Sequence, residues 1–211
     1  MDLFSAADGG ALERVMFLVE QGADKDVADD ANGRTPLYAA SRNGHMSVMR
    51  YLVDQGAEKE KPNFDGVTPL IVASYKGHLE VVHYLLEQGA NKDKSTNRGN
   101  SSLHFAVRFG YLDMVVLLMI YGADLNATND NNELPIDKTS NEEIRQVILD
   151  EPRRRQQQPR KRCIEQDRYP STTAQQQEEQ HNKQPADGAA EEGKVAEVDE
   201  DSESSSDEED D

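Results

Sequence analysis

The sequence predicts an all-α fold, a solenoid of stacked helix-turn-helix units with β-hairpin or loop fingers, followed by a disordered tail. Three observations predict it. Thr35-Pro36-Leu37 recurs as Thr68-Pro69-Leu70, as Ser101-Ser102-Leu103 and more weakly as Leu134-Pro135-Ile136, at a step of 33 residues each time. Glycines keep the same step: Gly33, Gly66 and Gly99; Gly44, Gly77 and Gly110; and Gly56, Gly89 and Gly122, each of the last three followed by alanine. After Asp150 the apolar periodicity stops, prolines interrupt the chain, and Gln, Glu and Asp dominate, a composition that cannot build a core.

Each recurring residue has a task in a helical hairpin. The hydroxyl of Thr35 or Thr68 can cap a helix whose first position is taken by the following proline. The glycine before each capping residue permits a tight turn into the helix, and Gly44, Gly77 or Gly110 breaks the first helix from the second. In that second helix Leu79, Val82, Leu85 and Leu86 fall three or four apart on one stripe, and Gly89 suits a left-handed C-terminal cap. So small a unit cannot bury its stripe alone. Identical units must stack, which is how a solenoid gains stability.

These residues resemble the ankyrin repeat. Thr35-Pro36-Leu37-Tyr38-Ala39-Ala40 with Gly44-His45, and Thr68-Pro69-Leu70-Ile71-Val72-Ala73 with Gly77-His78, match its signature. The resemblance implies a repeat domain over residues 1–150: an N-terminal cap at 2–29, full repeats at 30–62, 63–95 and 96–128, and a C-terminal cap at 129–150. A basic linker at 151–170 and an acidic tail at 171–211 follow. The loop from Ala23 to Thr35 is one residue longer than that from Ala57 to Thr68, which places an insertion in the first hairpin.

The same resemblance implies binding of another protein, and residue by residue it marks the contact positions. Those beside the turn glycines are Asn32 and Arg34, Phe64, Asp65 and Val67, and Arg98 and Asn100. Those before the second glycine, on the concave face, are Arg42 and Asn43, Tyr75 and Lys76, and Arg108 and Phe109. Arginines and aromatics are the residues that favour interface hot spots. The alternative for this set is structural: the arginines pair with neighbouring aspartates, and Phe109 packs under the next hairpin.

Charge narrows the partner. Through Asp150 the chain carries 14 basic against 23 acidic residues, from Glu151 to Pro170 seven against three, and from there on two against 15. The total of −18 repels phosphate backbones and anionic headgroups, so membrane binding is excluded from the reading and nucleic acid is disfavoured. A partner protein, basic in character, fits better, and a capped solenoid is expected to be a monomer by itself. A nuclear nucleic-acid-associated factor using the basic patch is the competing reading.

Catalysis and cofactors are not expected. No nucleophile elbow, Walker loop or dinucleotide fingerprint is recognisable. His45, His78 and His104 come one per repeat, which suits hydrogen bonding rather than a metal site. The lone Cys163 forbids an intrachain disulfide and suggests a reducing compartment. Met1-Asp2-Leu3 does not open a basic-then-apolar leader, so a cytoplasmic or nuclear location is expected.

The region after Asp150 carries two further signals. Arg153, Arg154, Arg155, Arg160, Lys161 and Arg162 resemble a nuclear-localisation cluster. Ser204, Ser205 and Ser206 each have an acidic residue three places later, as sites for an acidophilic kinase do. The acidic tail is expected either to help grip a basic client or to fold back and screen the groove.

Overall fold

The structure, a computed structural model, describes residues 2–157. Among them the chain folds into paired helices. An inner row holds α1 (Leu3–Asp8), α3 (Pro36–Asn43), α5 (Pro69–Lys76) and α7 (Ser102–Arg108), with a 3₁₀ turn at Pro135–Lys138 closing it. An outer row holds α2 (Leu12–Glu20), α4 (Met46–Asp54), α6 (Leu79–Glu87), α8 (Leu112–Ile120) and α9 (Glu142–Gln157). Each helix packs on its hairpin partner and on the helix before and after it in its own row.

The caps are the ones the repeat requires. Thr35 Oγ1 accepts from the Tyr38 amide at 3.1 Å and Thr68 Oγ1 from the Ile71 amide at 3.3 Å, with Pro36 and Pro69 at the first helical positions. The N-terminal cap lacks Thr-Pro but substitutes Asp2, whose carboxylate accepts from the Ser5 amide at 2.7 Å. At the other end of α6, Ala90 N–H reaches Leu85 O and Gly89 N–H reaches Leu86 O, the paired bonds of a Schellman cap. Gly89 has φ +79°, which a side chain would resist.

Stacking buries one continuous core. Leu37, Leu70 and Leu103 repeat along the inner row, and Met49, Leu52, Leu85, Met114 and Leu118 along the outer one, ending on Ile144 and Ile148 of α9. Ala40, Ala73 and Ala106 are fully buried in the inner helices, where a small side chain lets neighbouring backbones approach.

Two details add to the expected picture. Among the described residues the fingers are loops, not paired strands, with one isolated antiparallel bridge between Ser95 and Ser101. Each finger has room for a single closing bond, such as Asn63 N–H to Val67 O at 3.0 Å, before the helix cap begins. Helix α9 passes the expected boundary at 150 and runs through Pro152 to Gln157, carrying the backbone of Arg153, Arg154 and Arg155. Apolar periodicity stops at Ile148 and Leu149, but the polar residues after them, mostly Arg and Gln, are good helix formers. Arg160, Lys161, Arg162, Ser204, Ser205, Ser206 and the acidic tail lie outside the described residues.

Candidate functional site

The finger tips are built on one polar side chain apiece, buried for Asn63 and Asn129 and half-buried for Asp29 and Thr96. Asp29 Oδ1 accepts from the Asn32 and Arg34 amides, both at 2.9 Å. Asn63 Oδ1 does the same for Asp65 at 3.0 Å and Val67 at 2.8 Å, and Asn129 Oδ1 for Asn131 and Glu133, both at 3.0 Å. Thr96 Oγ1 accepts from Arg98 and Asn100 at 3.3 Å. The closing bond spans Asp29 to Arg34 but Asn63 to Val67, so the extra residue of the first hairpin sits inside its turn, between Asp29 and Gly33. Successive fingers are tied by backbone bonds: Phe64 N–H to Asn32 O at 3.0 Å, Asn97 N–H to Asp65 O at 2.9 Å, and Asp130 N–H to Arg98 O at 3.2 Å.

This framework divides the expected contact residues. Asn32, Asp65 and Arg98 keep exposed side chains while their carbonyls serve the ladder. Arg34 is engaged within the fold. Its guanidinium lies 2.6 Å from Asp29 Oδ2 and 5.1 Å from the centre of the Phe4 ring. Burial works to raise the Asp29 pKa, and the bonds from Arg34 and the Asn32 amide outweigh it, so the carboxyl sits below its ordinary range. Asn100 accepts from Asn129 Nδ2 at 3.0 Å, Asn43 donates to Asp8 at 2.9 Å, and Val67 is half-buried. Phe64 is exposed along one side while its ring covers Gly33.

The inner-helix ridge is different. Tyr75 and Phe109 meet edge to face at 5.1 Å, Tyr75 also meets Phe105 at 5.6 Å, and Phe109 stacks on Tyr111 at 6.0 Å. Tyr75 remains 43% exposed and Phe109 41%. Lys76 Nζ lies 5.2 Å from the Tyr75 ring centre and the Arg108 guanidinium 5.7 Å from that of Phe109. Among the described residues neither cation forms an ion pair with a carboxylate. Arg42 stands 4.0 Å from Asp8 with both side chains well exposed, a contact of small energy.

Phe105 and Tyr111 were not among the residues marked by the sequence. The signal for Tyr111 was present, since it occupies the position of His45 and His78 at the 33-residue step. Those histidines bind adjacent units together: His45 Nε2 donates to Asp8 O and His78 Nε2 to Arg42 O, both at 3.0 Å. His104 accepts from the Ser101 amide at 3.2 Å through Nδ1 and donates to Glu133 O through Nε2, and burial lowers its pKa.

Capped helical hairpins repeating at a fixed step, tied by ring-to-carbonyl bonds and bearing loop fingers, define a helical repeat protein of the interaction class. The family model for ankyrin repeats in three copies matches residues 3–96 and 59–129, and the chain belongs to the ankyrin-repeat family. Ankyrin repeats are protein-protein interaction modules and typically non-catalytic. Among curated proteins, none matches the chain. No described helix is long and apolar enough to cross a membrane.

Proposed function

We propose that the chain is a non-enzymatic adaptor, inhibitor or chaperone that binds a partner protein stoichiometrically through the inner-helix ridge and the neighbouring finger tips. One observation carries this reading: Tyr75 and Phe109 stay open to solvent beside Lys76 and Arg108, two cations with no carboxylate partner among the described residues. Exposed aromatics held rigid by edge-to-face contact lose little entropy on binding, and unpaired cations beside them supply direction. Asn32, Asp65, Arg98 and Phe64 extend the same surface along the fingers. Arg34, Asn43 and Asn100 support it from within. In this reading the acidic tail adds charge steering toward a basic client or screens the ridge until the client arrives.

The test is an affinity capture from cell extract with the full chain, with a Tyr75→Ala, Lys76→Ala, Arg108→Ala, Phe109→Ala variant, and with a chain ending at Gln157, bound proteins being identified by mass spectrometry. A partner retained by the wild type and lost by the fourfold variant supports the ridge. Equal capture by wild type and variant removes it. Weaker binding by the shortened chain assigns the tail to client holding, and tighter binding assigns it to screening.

A further inference from the structure

The outer helices carry a different surface. In α4 and α6 the second, fifth and ninth residues face solvent: Ser47, Arg50 and Asp54, then Glu80, His83 and Glu87. One repeat on, α8 keeps Asp113 but places Val116 and Ile120 at the other two positions, and Ile120 is 64% exposed. A helix apolar on nearly every side calls for cover. Helix α9 supplies it on one flank only, through Val147. On the other flank a groove of about 290 Å³ stays open between α6 and α8. Leu79, Val116, Leu117 and Ile120 make its apolar lining, His83 stands on one wall, and Glu80 and Asp113 form the rim.

We infer that this groove docks an amphipathic helix of a partner protein, one with a leucine-type stripe flanked by lysine or arginine. The volume falls just below that of pockets that enclose small molecules, roughly 300–1,000 Å³, and suits apolar side chains inserted from a helix laid across it. The rim chooses the charge. Among the described residues Glu80 and Asp113 make no ion pair, and no lysine or arginine lines the groove, so a basic flank gains two partners without breaking a contact. A second copy meeting through this same face would set acidic rims against each other. The groove is thus the electrostatic converse of the ridge, where the side chains unpaired among the described residues are cations, and the two surfaces can serve separate partners.

The experiment uses the full chain and a fluorescein-labelled helical peptide of leucine and lysine, with a leucine and glutamate twin of the same pattern, in fluorescence anisotropy and amide chemical-shift mapping. The lysine peptide is expected to bind, to shift amides of α6 and α8, and to weaken at least about tenfold in Ile120→Lys and in Asp113→Lys, as for loss of an anchor. The twin is expected not to bind, and Tyr75→Ala to leave the peptide affinity unchanged. Equal binding by Ile120→Lys, or shifts spread over the whole acidic surface, overturns the inference in favour of general charge attraction. Concentration-dependent dimers in sedimentation that vanish in Ile120→Lys overturn it in favour of a second copy.

Discussion

The imidazole of His78 occupies the space that a side chain on Gly44 would need. A Cβ at Gly44 would lie 2.8 Å from the His78 Nδ1, while the same ring donates through Nε2 to Arg42 O at 3.0 Å. His45 stands over Gly10 in the same way, and Tyr111 over Gly77. The repeated glycine therefore meets two demands at once, a left-handed backbone and contact with the ring of the next unit.

Gly44→Ala should accordingly cost more than Gly89→Ala. Both residues have positive φ, for which a side chain costs about 1–2 kcal/mol, but a Cβ at Gly89 meets nothing within 4 Å. At Gly44 the ring must move and its hydrogen bond to Arg42 weakens, which adds about 1 kcal/mol or more. Urea unfolding of the two variants checks this, and equal losses would remove the ring from the explanation.

Asn63→Ala should destabilise the second finger. Its buried carboxamide serves the amides of Asp65 and Val67, and removing an acceptor from part-buried donors costs about 1–3 kcal/mol. Amide exchange at Asp65 and Val67 should accelerate together with the drop in unfolding midpoint. Unchanged exchange would show that the closing backbone bond alone holds the turn.

Arg34 and Lys76 should separate stability from binding. Arg34→Ala breaks the contact with Asp29 and the cover over Phe4, and is expected to cost about 1–2 kcal/mol. Lys76→Ala, on an exposed side chain without an ion-pair partner among the described residues, should stay within about 0.5 kcal/mol yet weaken capture of the ridge partner. Thermal melting and affinity capture of both variants decide it, the reverse ranking being fatal.

Acid should loosen the C-terminal cap through Glu133. Its bond from Lys138, with further bonds from Asn129 and Asn131, holds the carboxyl down from its ordinary 4.5 to about 2. The folded pKa lies below the unfolded one, so the unfolded chain takes up the proton first on acidification. The contribution is complete above pH 4.5 and is lost as pH falls toward 2. In melting curves the wild type should exceed Glu133→Gln at neutral pH and converge on it across that window; a constant gap would deny the linkage.

Much of the fold was legible because its instructions are local. Thr68, Pro69, Gly77 and Gly89 act through their own backbone neighbours, so a 33-residue recurrence reads directly as caps and turns. The site was legible only in part. Tyr75, Lys76, Arg108 and Phe109 could be placed by register, but whether a cation is free depends on which carboxylate comes within reach. Arg34 has Asp29 five residues back, a partner that only the closed finger brings to 2.6 Å.

By itself the sequence determined the repeat, its caps and the order of its helices, because these rest on φ preferences and hydrogen bonds spanning a few residues. The tertiary structure alone decided what remains uncovered. Val116 and Ile120 sit in an apolar helix, and the placement of α6 and α9 on either side of α8 decides that one of its flanks faces solvent. Burial is a property of distant neighbours arriving at one surface, and no local pattern states which of them will come.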